Sequence, residues 1–296
     1  MTNNMRGQII LSTAGFYYVQ SEDQVISCRA RGKMRYEETH PLVGDFVDIS
    51  VNSDGSGYVQ GIVDRRNSFI RPAVANVDCL IMVASAVNPI TDPVLIDRVS
   101  AIAEDRDCEF TLLLNKTDLN PADELYDIFR RTNYPVIRTS AVNGTGIAEL
   151  KERMKGKLCV FTGNSGVGKS SLINSLEPEL NLAVGEVSDK LGRGRHTTRH
   201  VELFHLKFGG YIADTPGFGS FDISLIDPIP AERLAECFSD FLPYIHSCRF
   251  DDCQHHQEPG CSLRQAVEDG IVSSSRYSSY LRFLSEAKIQ KENEYK

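Results

Sequence analysis

The 296-residue sequence contains no apolar run of about 18 residues, the length that a membrane-spanning helix needs. Residues 1–6 also lack the apolar stretch of a signal peptide. We therefore expect a cytoplasmic protein with no membrane partner. The sequence has no internal repeat and no low-complexity linker, so its length favours two or three globular domains, each large enough to bury a core.

An excess of positive charge is also missing. Lys and Arg together number 32 and Asp and Glu 40, which gives a formal net charge of -8. This balance argues against a protein that coats nucleic acid by charge alone, although a local basic face can still dock on RNA. The local basic cluster in the N-terminal part fits RNA contact and a solvated loop equally well. It consists of Arg29, Arg31, Lys33 and Arg35.

The hydrophobic pattern divides the chain into three zones. Residues 1–71 contain five short strand patterns separated by Gly and Asp turns, which favours a small β-barrel of the OB-fold type that contacts RNA. Residues 72–221 alternate near-continuous apolar runs with helical patterns, which is typical of a doubly wound α/β domain with a parallel sheet. Residues 222–296 hold a cysteine cluster followed by helical segments, so we predict a mainly helical metal-binding domain there.

The α/β zone contains a phosphate loop with the sequence GNSGVGKS, which lies between an apolar strand and a helix. Its glycines let backbone N–H groups and the helix N-terminus surround phosphate groups. We predict that Lys169 reaches the β- and γ-phosphates of the nucleotide and that Ser170 ligates Mg²⁺. The predicted phosphate-binding residues are Gly163, Asn164, Ser165, Gly166, Val167, Gly168, Lys169, Ser170 and Ser171.

The motif NKTD at residues 115–118 predicts that the base is guanine. The Asp118 carboxylate can accept hydrogen bonds from N1–H and the 2-amino group of guanine. Adenine lacks both groups and would leave this carboxylate unpaired in a dry pocket. In this interpretation Asn115 braces the loop, Lys116 packs along the base, and the Ser-Ala backbone at 140–141 meets guanine O6. The predicted base-binding residues are Asn115, Lys116, Thr117, Asp118, Ser140 and Ala141.

Two further segments predict the switches of a GTPase. In the motif DTPG, Asp214 is expected to hold Mg²⁺ through water and the Gly217 amide to sense the γ-phosphate. The Gly- and Arg-rich loop at 192–199 predicts the first switch. Its metal-coordinating threonine is Thr198 or Thr197, and Thr198 is favoured because it directly precedes an arginine and the next strand.

The sequence lacks the glutamine that many GTPases place just after Asp-x-x-Gly. Phe218 occupies this position and cannot orient the attacking water. We therefore expect slow intrinsic turnover, with the missing group supplied by His196 or by a partner that orders the switches. The alternative, in which Phe218 only packs and His196 has no direct catalytic role, stays open.

The order of these motifs is rotated. A Ras-like GTPase begins with its phosphate loop, but here the base motifs come first, the phosphate loop follows, and DTPG comes last. This order predicts a circularly permuted Ras-like P-loop GTPase domain that binds GTP and GDP. A permuted domain that is tied at both ends has no obvious need of a dimer, so we expect a monomer.

The eight cysteines are unevenly distributed. Five are scattered, most of them within apolar runs, and are expected to be buried thiols. The other three crowd one segment together with histidine, which predicts a closed, tetrahedral site for one structural Zn²⁺ ion. The predicted ligands are Cys248, Cys253, His255 and Cys261, with His256 as an alternative to His255.

Taken together, these features resemble the ribosome small-subunit-dependent GTPases, the RsgA (YjeQ/YloQ) family, over nearly the full chain. The matching segments are GNSGVGKSSLIN at 163–174, DTPGF at 214–218, NKTD at 115–118, the switch segment at 196–198 and EPGC at 258–261. The resemblance implies a GTPase that binds the small ribosomal subunit and its ribosomal RNA. It further implies a role late in the maturation of that subunit, with GTP hydrolysis stimulated by it.

Two alternative functions fit parts of the same pattern. One is a permuted GTPase of large-subunit assembly, although the examples known to us lack the leading barrel and the trailing zinc segment. The other is a zinc-stabilised RNA-binding adaptor whose nucleotide domain is inert. The complete set of Lys169, Ser170, Asp118 and Asp214 disfavours the adaptor, because an inert domain has no physical need of all four.

Overall fold

The computed structural model describes residues 3–30, 40–70, 72–182, 201–214 and 229–294. The N-terminal part of these ranges is made of strands. They are β1 (Asn3–Thr13), β2 (Phe16–Ser21), β3 (Gln24–Ala30), β4 (Phe46–Val51), β5 (Gly57–Ile62) and a short pair, β6 (Ser68–Phe69) with β7 (Val74–Ala75).

The first five strands close into a barrel. They follow the order β1-β2-β3-β5-β4, and β4 also pairs with β1, so the ring has no open edge. The long β1 makes this closure possible, because its first half pairs with β4 and its second half with β2. Alternate side chains fill the interior, and Ile9, Val19, Cys28, Ile49 and Val59 are fully buried. The predicted five-stranded barrel is confirmed.

The middle of the chain alternates strands and helices. It comprises β8 (Cys79–Ser85), α1 (Pro93–Asp105), β9 (Glu109–Asn115), α2 (Asp123–Phe129), β10 (Val136–Arg138), α3 (Ile147–Met154), β11 (Leu158–Thr162), α4 (Lys169–Leu176), β12 (Val201–His205) and β13 (Tyr211–Asp214). The strands lie in the order β10-β9-β8-β11-β13-β12, and only β12 pairs antiparallel to its neighbour within this sheet. All seven residues of β8 are buried, as expected for a strand with helices on both faces.

Local signals set where these helices begin. Helix α1 begins after Asp92, whose carboxylate accepts a hydrogen bond from the Val94 N–H at 2.9 Å, and Pro93 occupies its first position. Helix α4 instead begins after Gly168, which adopts φ +100° and thus links the phosphate loop to the helix. The rotated domain is confirmed as an α/β fold with its phosphate loop in the second half.

One strand joins the barrel to the α/β sheet. The edge strand β12 pairs antiparallel with the end of β1, with Leu11 opposite Glu202 and Ser12 opposite Val201. The two sheets are therefore one continuous hydrogen-bonded surface. This contact pairs the first residues of β12, at one of the two edges of the α/β sheet.

The C-terminal part is helical. It contains α5 (Leu242–Ile245), α6 (Ser262–Glu268) and α7 (Ser274–Glu294), with a 3₁₀ turn at Leu234–Cys237. Its apolar core includes Phe238, Phe241 and Tyr280, and it also takes in Ala101 of α1. The helical module is thus packed on the α/β domain through α1. Among the helices that the structure describes, none has the length and apolar character to cross a membrane.

Candidate functional site

The phosphate loop connects β11 to α4, and two of its glycines cannot be replaced without a clash. Gly163 and Gly168 adopt φ values of +133° and +100°. A Cβ atom at Gly163 would lie 2.2 Å from the Val83 carbonyl oxygen, and one at Gly168 would lie 2.4 Å from Asn115 Nδ2. Glycine therefore gives this loop both its backbone conformation and its close approach to the base-binding segment.

Lys169 lies at the first turn of α4 and is 5% exposed. Its ammonium group donates hydrogen bonds to the carbonyl oxygens of Gly163 and Asn164, at 2.7 and 2.8 Å. Burial lowers the pKa of Lys169 to about 8, because the charged form loses hydration. A phosphate group beside this nitrogen would oppose that shift. The phosphate loop thus surrounds the poorly hydrated ammonium group of Lys169.

Asn115 ties the base motif directly to the phosphate loop. Its Nδ2 donates to the Val167 carbonyl oxygen at 2.8 Å, and its Oδ1 accepts from the Thr139 hydroxyl at 3.2 Å. All three residues are buried or nearly so. Two segments that are 52 positions apart are therefore held in one site, which is what the predicted bracing role of Asn115 requires.

Ser140, which is predicted to meet the base through its backbone, also uses its side chain to contact Asp118, the predicted guanine-binding carboxylate. The Ser140 hydroxyl donates to Asp118 Oδ1 at 2.6 Å and accepts weaker bonds from the Val142 and Asn143 N–H groups. The side chain of Ser140 thus orients the carboxylate. The neighbouring Ala141 carbonyl accepts from Ser175 of α4 at 3.4 Å.

Sequence reasoning also missed the loop that follows β8. Lys116, at φ +62°, extends its ammonium group to the Asn88 carbonyl oxygen at 2.7 Å. Pro89 lies over Gly166, where an added Cβ would be 3.3 Å from the Pro89 Cδ. The signal for this loop was its position after the carboxyl end of a central parallel strand, the edge at which α/β sheets bind ligands.

Some of the remaining predicted nucleotide residues lie within the described part of the structure, and the switch residues lie outside it. Thr117 donates from its hydroxyl to the Thr139 carbonyl at 2.9 Å, Asn164 and Ser165 lie in the loop, and Ser170 and Ser171 lie in the first turn of α4. Asp214 ends β13, next to β11, so its backbone is near the loop edge of the sheet. The predicted switch residues His196, Thr197, Thr198, Gly217 and Phe218 lie outside the described residues.

A second site lies in the C-terminal module. The ligand atoms of Cys248, Cys253, His255 and Cys261 all lie within 4.8 Å of one another, and this cluster can hold a metal ion. His255 Nδ1 is 3.4 Å from the Cys248 sulfur and 3.5 Å from the Cys261 sulfur. Burial lowers the pKa of His255, which favours the neutral imidazole that a metal needs. The alternative ligand, His256, is exposed.

The loop that presents His255 is fixed by a carboxylate and two tyrosines. Glu258 accepts from the N–H groups of Gln254, His256 and Gln257 at 2.8–3.1 Å. Burial alone would raise its pKa, but these backbone donors outweigh burial and lower it to about 2. From α7, Tyr277 donates to the His255 carbonyl at 2.7 Å and Tyr280 to the Gln254 carbonyl at 2.8 Å.

The fold and these sites define a circularly permuted P-loop GTPase with a C-terminal module that can bind a metal. A family model described as RsgA GTPase matches residues 62–224, and one described as RsgA N-terminal domain matches residues 6–59. The chain belongs to the RsgA GTPase family and is a GTP-hydrolysing enzyme. This confirms the family and the enzyme class expected from the sequence.

Relatives with established names cover nearly the whole chain. The chain is 43% identical over 295 residues to the small ribosomal subunit biogenesis GTPase RsgA of Caldanaerobacter subterraneus, covering 99% of each protein. It is 43% identical to the protein of the same name from Geobacillus kaustophilus, over 96% of this chain and 98% of that one. These names fit the small-subunit interpretation and neither alternative function.

Solved structures agree with the fold. The structure of YjeQ from Thermotoga maritima superposes with a TM-score of 0.81 and is 34% identical, covering 96% of this chain and 99% of that one. The structure of YloQ, described as a circularly permuted GTPase, superposes with a TM-score of 0.79 and is 36% identical, over 97% of this chain and 96% of that one. The permuted order of motifs is therefore a property that this chain shares with its structural relatives.

Proposed function

We propose that this protein assists late maturation of the small ribosomal subunit. In this proposal it binds the subunit and its ribosomal RNA and hydrolyses GTP to GDP and phosphate, with turnover stimulated by the subunit. The names of its relatives support the assignment. The observation that carries the nucleotide part of the proposal is the hydrogen bond from Asn115 to Val167, which joins the predicted base-binding and phosphate-binding segments in one site despite the rotated motif order.

The nucleotide roles follow from the chemistry of each group. Asp118, oriented by the Ser140 hydroxyl, accepts hydrogen bonds from guanine. Lys169 exchanges its two loop carbonyls for the β- and γ-phosphate oxygens. Ser170 and Asp214 are the proposed holders of Mg²⁺, which supplies charge neutralisation at the phosphates when bound.

Hydrolysis is proposed to use the switch segments. Water attacks the γ-phosphorus, the bond to the β-phosphate oxygen breaks, and GDP and phosphate leave. We assign metal coordination to Thr198 in preference to Thr197, contact with the γ-phosphate to the Gly217 amide, and orientation of the water to His196. Phe218 cannot perform that last task because its ring has no hydrogen-bonding group.

We propose that the metal of the C-terminal module is one structural Zn²⁺ ion. Around a tetrahedral zinc ion two thiolates lie about 3.8 Å apart, and a thiolate and an imidazole nitrogen about 3.6 Å, given ordinary Zn–S and Zn–N bond lengths. The Cys248 and Cys261 sulfurs are 3.9 Å apart, and each is 3.4–3.5 Å from His255 Nδ1. Four protein ligands leave no position for water, so the site is structural. We further propose that the protein acts as a cytoplasmic monomer.

The decisive experiment measures GTP turnover of the full chain alone, with purified small subunits and with purified large subunits. We expect stimulation by small subunits only, with Lys169→Ala inactive in all three conditions. Stimulation by large subunits, or by neither, would contradict the proposal. A parallel measurement of guanine against adenine nucleotide binding separates a failed partner assignment from a failed nucleotide assignment.

A further inference from the structure

The loop between β8 and α1 is closed at its base by one threonine. Thr91 donates its backbone N–H to the Ser85 carbonyl at 2.9 Å, and its hydroxyl accepts a hydrogen bond from the Ser85 N–H at 3.0 Å. Both residues are almost completely buried. Within the loop, the Ser85 hydroxyl donates to the Val87 carbonyl at 2.9 Å and accepts from the Val87 N–H at 3.1 Å. We name residues 85–91 the β8–α1 loop.

The sheet explains why a hydroxyl is needed at the base of this loop. Strand β11 pairs with β8 as far as Met82 and Thr162, and the chain then turns into the phosphate loop. Beyond that point the described strand pairing of β8 is with β9, where Ser85 is opposite Asn115. A buried backbone N–H without a partner costs free energy. The Thr91 hydroxyl supplies the partner for Ser85.

The far end of the β8–α1 loop is held by a helix. Asp92 caps α1 directly after Thr91, and Ile96 and Val99 of this helix are fully buried. The preceding residue, Ile90, is 73% exposed, so the chain turns inward at Thr91. Both ends of the loop are therefore attached to buried elements, β8 and α1.

Between its fixed ends, the loop contacts both halves of the predicted nucleotide site. The Asn88 carbonyl accepts a hydrogen bond from the Lys116 ammonium group at 2.7 Å. Pro89 lies beside Gly166 of the phosphate loop, where an added Cβ would be 3.3 Å from Pro89 Cδ. The loop follows the carboxyl end of a central parallel strand, which is the edge at which α/β sheets bind ligands.

Lys116 is the residue whose side chain this loop can orient. Its stem is predicted to pack along the guanine plane, and a lysine side chain loses rotamer freedom when it is ordered. Affinity falls when that ordering has to occur on binding. Because the Asn88 carbonyl already holds the ammonium group, part of the ordering of Lys116 precedes nucleotide binding.

We propose that Thr91 is a positioning residue of the nucleotide site. By closing the β8–α1 loop, Thr91 places the Asn88 carbonyl, and this carbonyl orients Lys116 along the guanine base. The inference rests on the proposed function, in which this site binds GTP and GDP. It adds to that function a residue that acts through Lys116 and lies outside the sequence motifs.

The test is the affinity of the full chain for a fluorescent GDP analogue, measured well below the unfolding temperature of every variant. Thr91→Val replaces the hydroxyl with a methyl group of similar size, and Thr91→Ser keeps the hydroxyl. Thr111→Val is the matched control, because Thr111 is also buried but its hydroxyl lies 3.6 Å from the Cys79 sulfur within the sheet. Ser85→Ala is a second variant, which loosens the same loop by removing its bonds to Val87.

We expect Thr91→Val to weaken GDP binding about 2- to 15-fold, the range that one net hydrogen bond is worth. Thr91→Ser and Thr111→Val are expected to bind GDP as the wild type does, and Ser85→Ala to bind it more weakly. Equal losses in Thr91→Val and Thr111→Val, or in Thr91→Val and Thr91→Ser, would overturn the inference. If Thr91→Val does not fold, unchanged affinity of Ser85→Ala would overturn it.

A double-mutant cycle tests whether Thr91 acts through Lys116. Lys116→Met keeps an unbranched side chain but removes the ammonium group that the Asn88 carbonyl holds. In the Lys116→Met background, Thr91→Val is expected to weaken GDP binding by less than about twofold, because the connection is already broken. Weakening by the same factor in both backgrounds would show that Thr91 does not position Lys116.

Binding of a fluorescent ADP analogue to the same samples separates this inference from the proposed function. If the wild type prefers GDP and Thr91→Val binds GDP as tightly as the wild type does, only the inference is lost. If the wild type binds GDP no better than ADP, the guanine assignment of the proposed function fails and the inference fails with it.

Discussion

Arg276 of α7 donates a hydrogen bond to Asp97 of α1 at 2.6 Å, and both side chains are almost completely buried. The same guanidinium binds both carboxylate oxygens of Asp240 and reaches the Tyr134 hydroxyl at 3.1 Å. It also lies over the Phe238 ring at 5.1 Å. One residue thus joins the C-terminal helical module to the GTPase domain.

We predict that Arg276→Met destabilises the protein by about 3–5 kcal/mol, the range for removing one partner of a buried ion pair. The cost arises because two buried carboxylates lose their counter-ion, and Asp97 Oδ2 already has no hydrogen-bond partner in the described part of the chain. Urea unfolding measures the change.

The control is Arg282→Met on the same helix, where the side chain is 61% exposed and pairs with Glu286. Its expected effect is within about 0.5 kcal/mol. Arg276→Lys keeps the charge but loses the planar fork, so it is expected to fall between wild type and Arg276→Met. Equal stability of Arg276→Met and Arg282→Met would show that the buried network contributes nothing.

The Arg276 network also marks the limit of what the sequence could reveal. Alternating apolar residues and turn signals predicted the barrel, and the order of short motifs predicted the permuted domain, because each strand pattern and each motif can be recognised within a single short segment. Arg276 lies in a polar segment, SSSRYSSYLR, that suggests an exposed helix face. Its burial depends on partners 179 and 36 positions away, so no local pattern could reveal it.

In the nucleotide site, too, the sequence motifs could be predicted but the contacts between distant residues could not. The base and phosphate motifs were readable as motifs, whereas the contact of Lys116 with Asn88 spans 28 positions and uses a backbone carbonyl that any residue could offer. The pairing of β12 with β1 likewise depends on two strand edges meeting across a domain boundary. Backbone contacts of this kind carry almost no sequence signal.

Gly168→Ala is predicted to weaken GDP binding by at least about tenfold. The added Cβ would lie 2.4 Å from Asn115 Nδ2, which is too close, so the Asn115 side chain would have to move. Gly156→Ala is the matched control. Gly156 also has a positive φ, +73°, but an added Cβ there meets no atom within 4 Å. Both variants pay roughly 1 kcal/mol of left-handed backbone strain.

Binding of a fluorescent GDP analogue separates the effect of the clash with Asn115 from the effect of backbone strain. Only Gly168→Ala is expected to lose affinity, while both lose stability in urea. If Gly156→Ala weakened nucleotide binding equally, backbone strain rather than the tie between Asn115 and Val167 would explain the loss.

Nucleotide binding is predicted to take up a proton above neutral pH. Burial lowers the pKa of Lys169 to about 8, from 10.5 in an exposed lysine, so at pH 8.5 a large fraction of the nucleotide-free protein carries neutral Lys169. A bound phosphate raises that pKa again, and the lysine must gain a proton on binding. The lowered pKa of Lys169 also affects folding stability. Between about pH 8 and pH 10.5 the unfolded chain binds more protons at Lys169 than the folded chain does, so the contribution of Lys169 to the free energy of unfolding rises with pH in this range.

Calorimetry of GDP binding at pH 6.5 and 8.5, in buffers with different ionisation enthalpies, measures this proton directly. We expect uptake at pH 8.5 and almost none at pH 6.5. Lys169→Arg stays charged at both values and corrects for the titration of the nucleotide itself. Equal uptake by Lys169→Arg and wild type would remove Lys169 as the source.

Metal content is predicted to depend on one histidine of an adjacent pair. His255 is buried beside the three cysteine sulfurs, whereas His256 is exposed and its backbone N–H donates a hydrogen bond to Glu258 at 2.8 Å. We therefore expect purified wild type and His256→Ala to hold about one equivalent of zinc, and His255→Ala to hold less than roughly half. Elemental analysis after dialysis gives these values.

Loss of the ion has a predicted structural consequence that tests the same site independently. From α7, the hydroxyls of Tyr277 and Tyr280 donate to the carbonyls of His255 and Gln254, and the neighbouring Arg276 binds Asp97 of α1. Removing the metal is therefore expected to increase hydrogen exchange in residues 246–261 first, while amides of β8 and β9 stay protected. If a strong chelator removed the metal and left exchange in that segment unchanged, the ion would not be the structural element that its four buried or half-buried ligands suggest.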